Sequence, residues 1–202
     1  MKKVIIALSL ALVSISVTPM YAQQIKEVGT TINKTTHTAV VGEFNEAKSA
    51  LDIVITQKFM EAGLIKTKSA SNGFKVFYGV SWPEVTAETL DVYYKVSGKK
   101  DKATVEILIS KGYENFITSQ NDPAAIENLK RFISSLNQGL QSHNLNERIK
   151  KQEDLIKKAE KELETRNKTV TKAQSSLEKA KKDVATQETA IQGLRSDLSK
   201  MK

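Results

Sequence analysis

The side chains able to do chemistry in this chain are few and scattered. It contains no cysteine, which excludes a disulfide framework, a thiolate zinc site, a thiol nucleophile and a lipid-modified cysteine. Its two histidines, His37 and His143, are far apart in the chain, so a histidine-rich metal site is not expected. Phosphate-binding glycine loops, paired zinc ligands, the G-x-S-x-G elbow and zincin helices are all missing. Asp52 and Glu61 fall on an expected helix, Asp91 and Glu106 on expected strands, and no pair has a spacing that sets one carboxylate as acid and another as base. An active site would have to lie among Tyr78, Trp82 and Tyr94 or along Tyr113 to Phe116, but aromatics in this periodicity serve a core first. No catalytic, cofactor-binding or metal-binding residue is nominated, and the chain reads as a non-enzyme.

The elements that would position these residues begin after a targeting segment. Met1, Lys2 and Lys3 form a positive n-region, Val4 to Val17 an apolar h-region, and Ala22 a small residue at the expected cleavage edge. Fourteen residues at about 1.5 Å each give roughly 21 Å, short of a ~30 Å hydrocarbon core, so residues 1–22 read as a signal peptide rather than an anchor. No later stretch is apolar enough to span a membrane, and the expected destination is the periplasm or the cell exterior. The Lys-Lys start and Ala22-Gln23-Gln24 resemble those of many uncharacterised exported bacterial proteins. That resemblance covers the first two dozen residues and implies export alone, with no activity. In such a setting the sequons at Asn33-Lys34-Thr35 and Asn167-Lys168-Thr169 are accidental matches.

The formal net charge of +8 is unevenly distributed. Residues 1–22 and 23–144 contribute little beyond the n-region lysines, whereas residues 145–202 carry most of the excess. Composition therefore divides the mature chain near His143.

Residues 23–36 are polar and threonine-rich and read as a loose lead-in; residues 37–143 read as a small α+β domain. His37 to Gly42 suits a first strand. Phe44, Ala47, Leu51, Val54, Ile55 and Ala62 recur at helical spacing, and Gly63 suits the residue that stops a helix. Leu64 to Ser71 is a candidate second strand, with Ser71-Asn72-Gly73 as the turn after it. Three period-two runs follow: Phe74, Val76, Tyr78, Val80, Trp82; Leu90, Val92, Tyr94, Val96; and Ala103, Val105, Ile107, Ile109. They predict an antiparallel meander with a hairpin turn at Gly98 to Asp101. Phe77, Tyr93 and Leu108 interrupt its polar face and form a candidate surface patch. Asn121 or Asp122 caps a helix starting at Pro123, whose stripe is Ile126, Leu129, Ile133, Leu136 and Leu140. The expected architecture is two-layer: a meander with two helices packed on it, helix-grip-like, followed by a long C-terminal coiled-coil helix over residues 144–202.

That coiled coil rests on a strict heptad: Ile149, Ile156, Leu163, Val170, Leu177, Val184, Ile191 and Leu198 are all aliphatic. The companion seam is Leu145, Gln152, Ala159, Arg166, Ala173, Ala180, Gln187, Leu194 and Met201. Seven beyond Leu140 is Glu147 rather than Ile149, and Asn144 to Glu147 has capping-box spacing, so a kink or short break is expected near Asn144. The stripe needs a partner, either the same helix of another chain in a dimer or trimer, or the chain itself folding back near Thr165 to Thr169 into a helical hairpin. Unbroken register favours the first.

The lysines of the stalk, among them Lys150, Lys151, Lys157, Lys158, Lys181 and Lys182, also suit an anionic envelope polymer. Interspersed acids and the lack of aromatics after residue 144 favour a solvated coiled-coil exterior and set nucleic acid aside. The sequence thus points to an exported interaction or scaffold protein presenting a small α+β domain on an oligomerising stalk, with an envelope protein as a candidate partner. The alternatives are a periplasmic holdase with basic helical arms and, behind it, an enzyme with its site in the α+β domain.

Overall fold

Strand β1 (Ile25–Ile32) and strand β2 (Thr35–Phe44) pair antiparallel across a two-residue turn. Asn33 (φ 51) and Lys34 (φ 67) both adopt left-handed backbone, as a turn matched to the twist of a hairpin requires. The expectation of a loose lead-in over 23–36 is therefore overturned. β1 pairs on one side only, and its charged Lys26 and Glu27 are typical of a protected sheet edge. The computed structural model describes residues 24–113 and 115–201; the expected signal peptide lies outside the described residues.

Helix α1 (Lys48–Glu61) begins after Phe44, which belongs to β2, and is therefore shorter than the apolar spacing suggested. It ends as read. Gly63 sits at φ +83, its N–H donates to the Met60 carbonyl and the Leu64 N–H to the Phe59 carbonyl, the paired bonds of a Schellman stop. The expected strand over Leu64 to Ser71 shrinks to β3 (Lys68–Ser69), because Leu64 turns into the core while Ile65 faces solvent. A 3-10 turn at Ser71–Gly73 then leads into β4 (Lys75–Trp82), β5 (Thr86–Gly98) and β6 (Ala103–Ser110).

These strands form one six-stranded antiparallel sheet in the order β1-β2-β6-β5-β4-β3, with the predicted β4-β5-β6 meander inside it. One face packs on α1 and on the first turns of helix α2 (Pro123–Lys200), giving the α+β class expected. Leu51, Val54, Ile55 and Phe59 of α1 and Ile126, Leu129, Ile133, Leu136 and Leu140 of α2 are all buried there. Phe59 anchors this layer, its ring lying 5.1 Å from Phe77, 5.7 Å from Trp82 and 5.4 Å from Phe132. Asp122 caps α2 by accepting from the Ala125 N–H, while Asn121 shapes the preceding loop through Thr118 and Phe116.

The alternation in β4 does not hold across its length. Phe77 pairs with Val92 but Val80 pairs with Leu90, so β4 carries one extra residue, a bulge at Tyr78 and Gly79. Gly79 adopts φ +60 and its N–H donates to Asp91 Oδ1. Residues before the bulge are thereby moved to the opposite face from that expected: Phe77 enters the helix-facing core, and Phe74 joins the other side.

Two compact units divide the chain, one ending at Gln141 and the other starting at Ser142. α2 is assigned as one continuous helix through that point, so the short break expected near Asn144 is absent. A new stripe phase needs only different residues on a continuing helix, and no proline or glycine lies between Leu140 and Gly193 to break one. The helix also runs through Thr165 to Thr169, where Thr165 Oγ1 and Thr169 Oγ1 donate to the carbonyls four residues earlier. The turn needed for an intrachain hairpin is therefore not present.

Candidate functional site

The second unit carries a stripe of aliphatic side chains along its helix that is exposed among the described residues. Ile149, Ile156, Leu163, Val170, Leu177, Val184, Ile191 and Leu198 are each 47–59% exposed, and on the companion seam Leu145 is 55% and Leu194 71% exposed. Hydroxyls along the helix are turned inward to the backbone: Thr171 donates to Asn167, Ser175 to Thr171, Thr186 to Lys182 and Thr189 to Ala185. Charges pair along the surface, Lys168 with Glu164 at 2.6 Å, Lys181 with Glu178 at 2.8 Å and Lys200 with Asp197 at 3.5 Å. Glu178 thus meets Lys181, three residues on. Such exposed pairs are weak.

In the first unit the proposed patch of Phe77, Tyr93 and Leu108 is not a patch. Phe77 is 2% exposed on the helix-facing side, while Leu108 is 1% exposed on the opposite side, in a cluster with Ile32, Ala39, Val41 and Phe74. Tyr93 packs half-buried on that second cluster. The Gly79 bulge turns Phe77 to the face opposite Tyr93 and Leu108, and Phe116 of the loop after β6 packs on Tyr93.

What remains on the open sheet face is a chain of ring contacts. His37 lies 4.0 Å from Phe116, Phe116 5.6 Å from Tyr93, and Tyr93 6.3 Å from Tyr78, over which Lys68 Nζ sits at 5.7 Å. The rings are tilted by 30° to 84°, so they pack on one another and offer no flat stacking platform. Tyr78 and Tyr113 are exposed, the latter on a turn with φ 50. Sequence reading missed this row because Phe116 comes from a loop and is placed by a bridge to Ser110.

Several titratable groups of the sheet are in ion pairs. Glu43 accepts from Lys102 at 2.8 Å and Lys26 at 2.9 Å, and these two lysines, Lys102 foremost, lower its carboxyl to a pKa of about 2. Glu106 bridges Lys95 at 2.8 Å and Thr30 Oγ1 at 2.9 Å. Glu27 reaches Lys130 of α2 at 3.0 Å, tying the edge strand to the helix layer. Burial, reinforced by the Asp52 carboxylate, raises the Tyr94 hydroxyl above its usual value, which makes it a poor acid or base at neutral pH. Trp82 and Tyr94 sit in the core, away from solvent.

Among the described residues no group of histidine, aspartate and glutamate is placed to hold a metal ion, and no helix is long and apolar enough to cross a membrane. An open depression follows α1 alone, along Asp52, Ile53, Thr56 and Met60, with Ile53 and Met60 exposed. No known protein family, curated protein or solved structure matches the chain.

Proposed function

We propose that this is an exported, non-enzymatic interaction or scaffold protein in which a small α+β unit is carried on a coiled-coil stalk that assembles with other copies of itself. The observation that carries the reading is the uncovered heptad: eight aliphatic positions in strict register on one unbroken helix, each about half exposed in the single chain. A partner helix of matching period removes such a stripe from water along its whole length. Export is supported by the n-region and h-region of residues 1–22.

The holdase alternative uses the same stripe for unfolded clients. A heptad repeat held from Ile149 to Leu198 favours a helical partner, because clients of varied sequence impose no period. Light scattering separates the two readings. The protein is expected to have the mass of an oligomer, and a Leu163→Glu/Val170→Glu variant the mass of a monomer. A monomeric mass for the unaltered protein at micromolar concentration would refute self-assembly.

A further inference from the structure

Resting on the reading of a self-assembling stalk, we infer that two copies pair antiparallel, centred between Thr171 and Lys172. The two seams of the helix are unequal in size, and that inequality selects the orientation. The first seam holds only Ile, Leu and Val; the second is Gln152, Ala159, Arg166, Ala173, Ala180 and Gln187 between leucines at 145 and 194. In a parallel pair each seam residue meets its own copy. Layers of two large aliphatics would alternate with Ala159, Ala173 and Ala180 against themselves, and Arg166 would face a second Arg166. Such a pair either leaves voids at the alanines or crowds the aliphatic layers.

Antiparallel pairing sets each first-seam residue against a second-seam residue of the partner helix. About the stated centre Val170 faces Ala173, Leu163 faces Ala180 and Val184 faces Ala159, so large meets small at these three layers, while Ile156 and Ile191 lie against Gln187 and Gln152. Leu145 meets Leu198 and Ile149 meets Leu194 at the two ends, where the apolar area per layer is greatest. Each Arg166 lies along a Leu177, its stem on the aliphatic surface and its guanidinium free to reach the rim. Flanking charges do not choose between orientations. Arg148 facing Asp197 and Glu160 facing Lys181 are offset by Glu162 facing Asp183 and Glu153 facing Glu188, and exposed pairs weigh little beside the seam.

The cysteine-free sequence makes the test clean. Spin labels are placed on Asp154→Cys and, separately, Ser175→Cys, both outward positions off the seam, and the label-to-label distance is measured by pulsed dipolar spectroscopy. Antiparallel pairing about residue 171.5 offsets the two labels along the axis by about 50 Å at 154 and about 10 Å at 175, from the rise of 1.5 Å per residue. A long distance at 154 with a short one at 175 is the expected result. Short distances at both sites mean parallel helices and overturn the inference while leaving self-assembly intact. No dipolar signal at either site, with unchanged helical circular dichroism, overturns self-assembly itself.

Discussion

Gly139 of α2 lies so close to Val54 of α1 that a Cβ placed on Gly139 would come within 2.5 Å of Val54 Cγ1. Valine is stiff at χ1 in a helix and cannot swing aside, so the contact fixes how near the two helices approach. Gly139→Ala should therefore destabilise the α+β unit. Overpacking costs about 1–3 kcal/mol, against ~0.5–1 kcal/mol gained from the better helix former. The lowered urea midpoint should be partly restored by adding Val54→Ala. Strictly additive losses in the double-mutant cycle would show that the close approach does not limit packing.

Phe77→Ala should cost about 3–5 kcal/mol, the range for truncating a buried aromatic, whereas Tyr78→Ala should cost under ~1 kcal/mol as an exposed substitution. Simple alternation along β4 gives the opposite ranking. Urea denaturation followed through Trp82, the only tryptophan, reads both variants, and comparable losses would contradict the bulge at Gly79.

These two positions show how far the sequence could be read. Stop and start signals with a local mechanism were legible: Gly63 ends α1 in left-handed backbone, and Asp122 caps α2 ahead of Pro123. The heptad was legible because its period repeats over many turns. What failed depended on contacts distant in the chain. β1 exists because β2 offers it hydrogen bonds, and its turn uses Asn33-Lys34 where glycine is the usual second residue. The bulge at Gly79 is held by Asp91 on the next strand, so a glycine within an alternating run was the one cue available. The expected break at Asn144 rested on the stripe's change of phase and on cap spacing, and neither interrupts a helix whose residues all tolerate it.

Glu43 is held to a pKa of about 2 by Lys102 and Lys26, below the ordinary carboxylate value. A carboxyl whose folded pKa is depressed stabilises the native state above its unfolded pKa and loses that contribution as pH falls through the folded one. The window therefore runs from about 4.5 down to about 2. Glu43→Gln should be less stable than the parent at pH 7, and the gap should close as pH approaches 2. A gap of constant size across that range, measured by denaturant midpoints, would mean the pairs carry no net linkage.

Trp82 is fully buried in the α+β unit, so its fluorescence reports on that unit alone, whereas most helical circular dichroism comes from the 78-residue α2. The two signals should part on heating. On the proposed self-assembly the helix beyond Ser142 draws its stability from a second copy, and association makes a melting temperature rise with protein concentration by mass action. The α+β unit has its own core and no such dependence. Melts at two concentrations a hundredfold apart should move the ellipticity transition at 222 nm upward by several degrees while the Trp82 transition stays in place. If instead both probes follow one transition at the same temperature at either concentration, the stalk draws no stability from a second copy. Its exposed aliphatic stripe must then be served by something other than self-assembly.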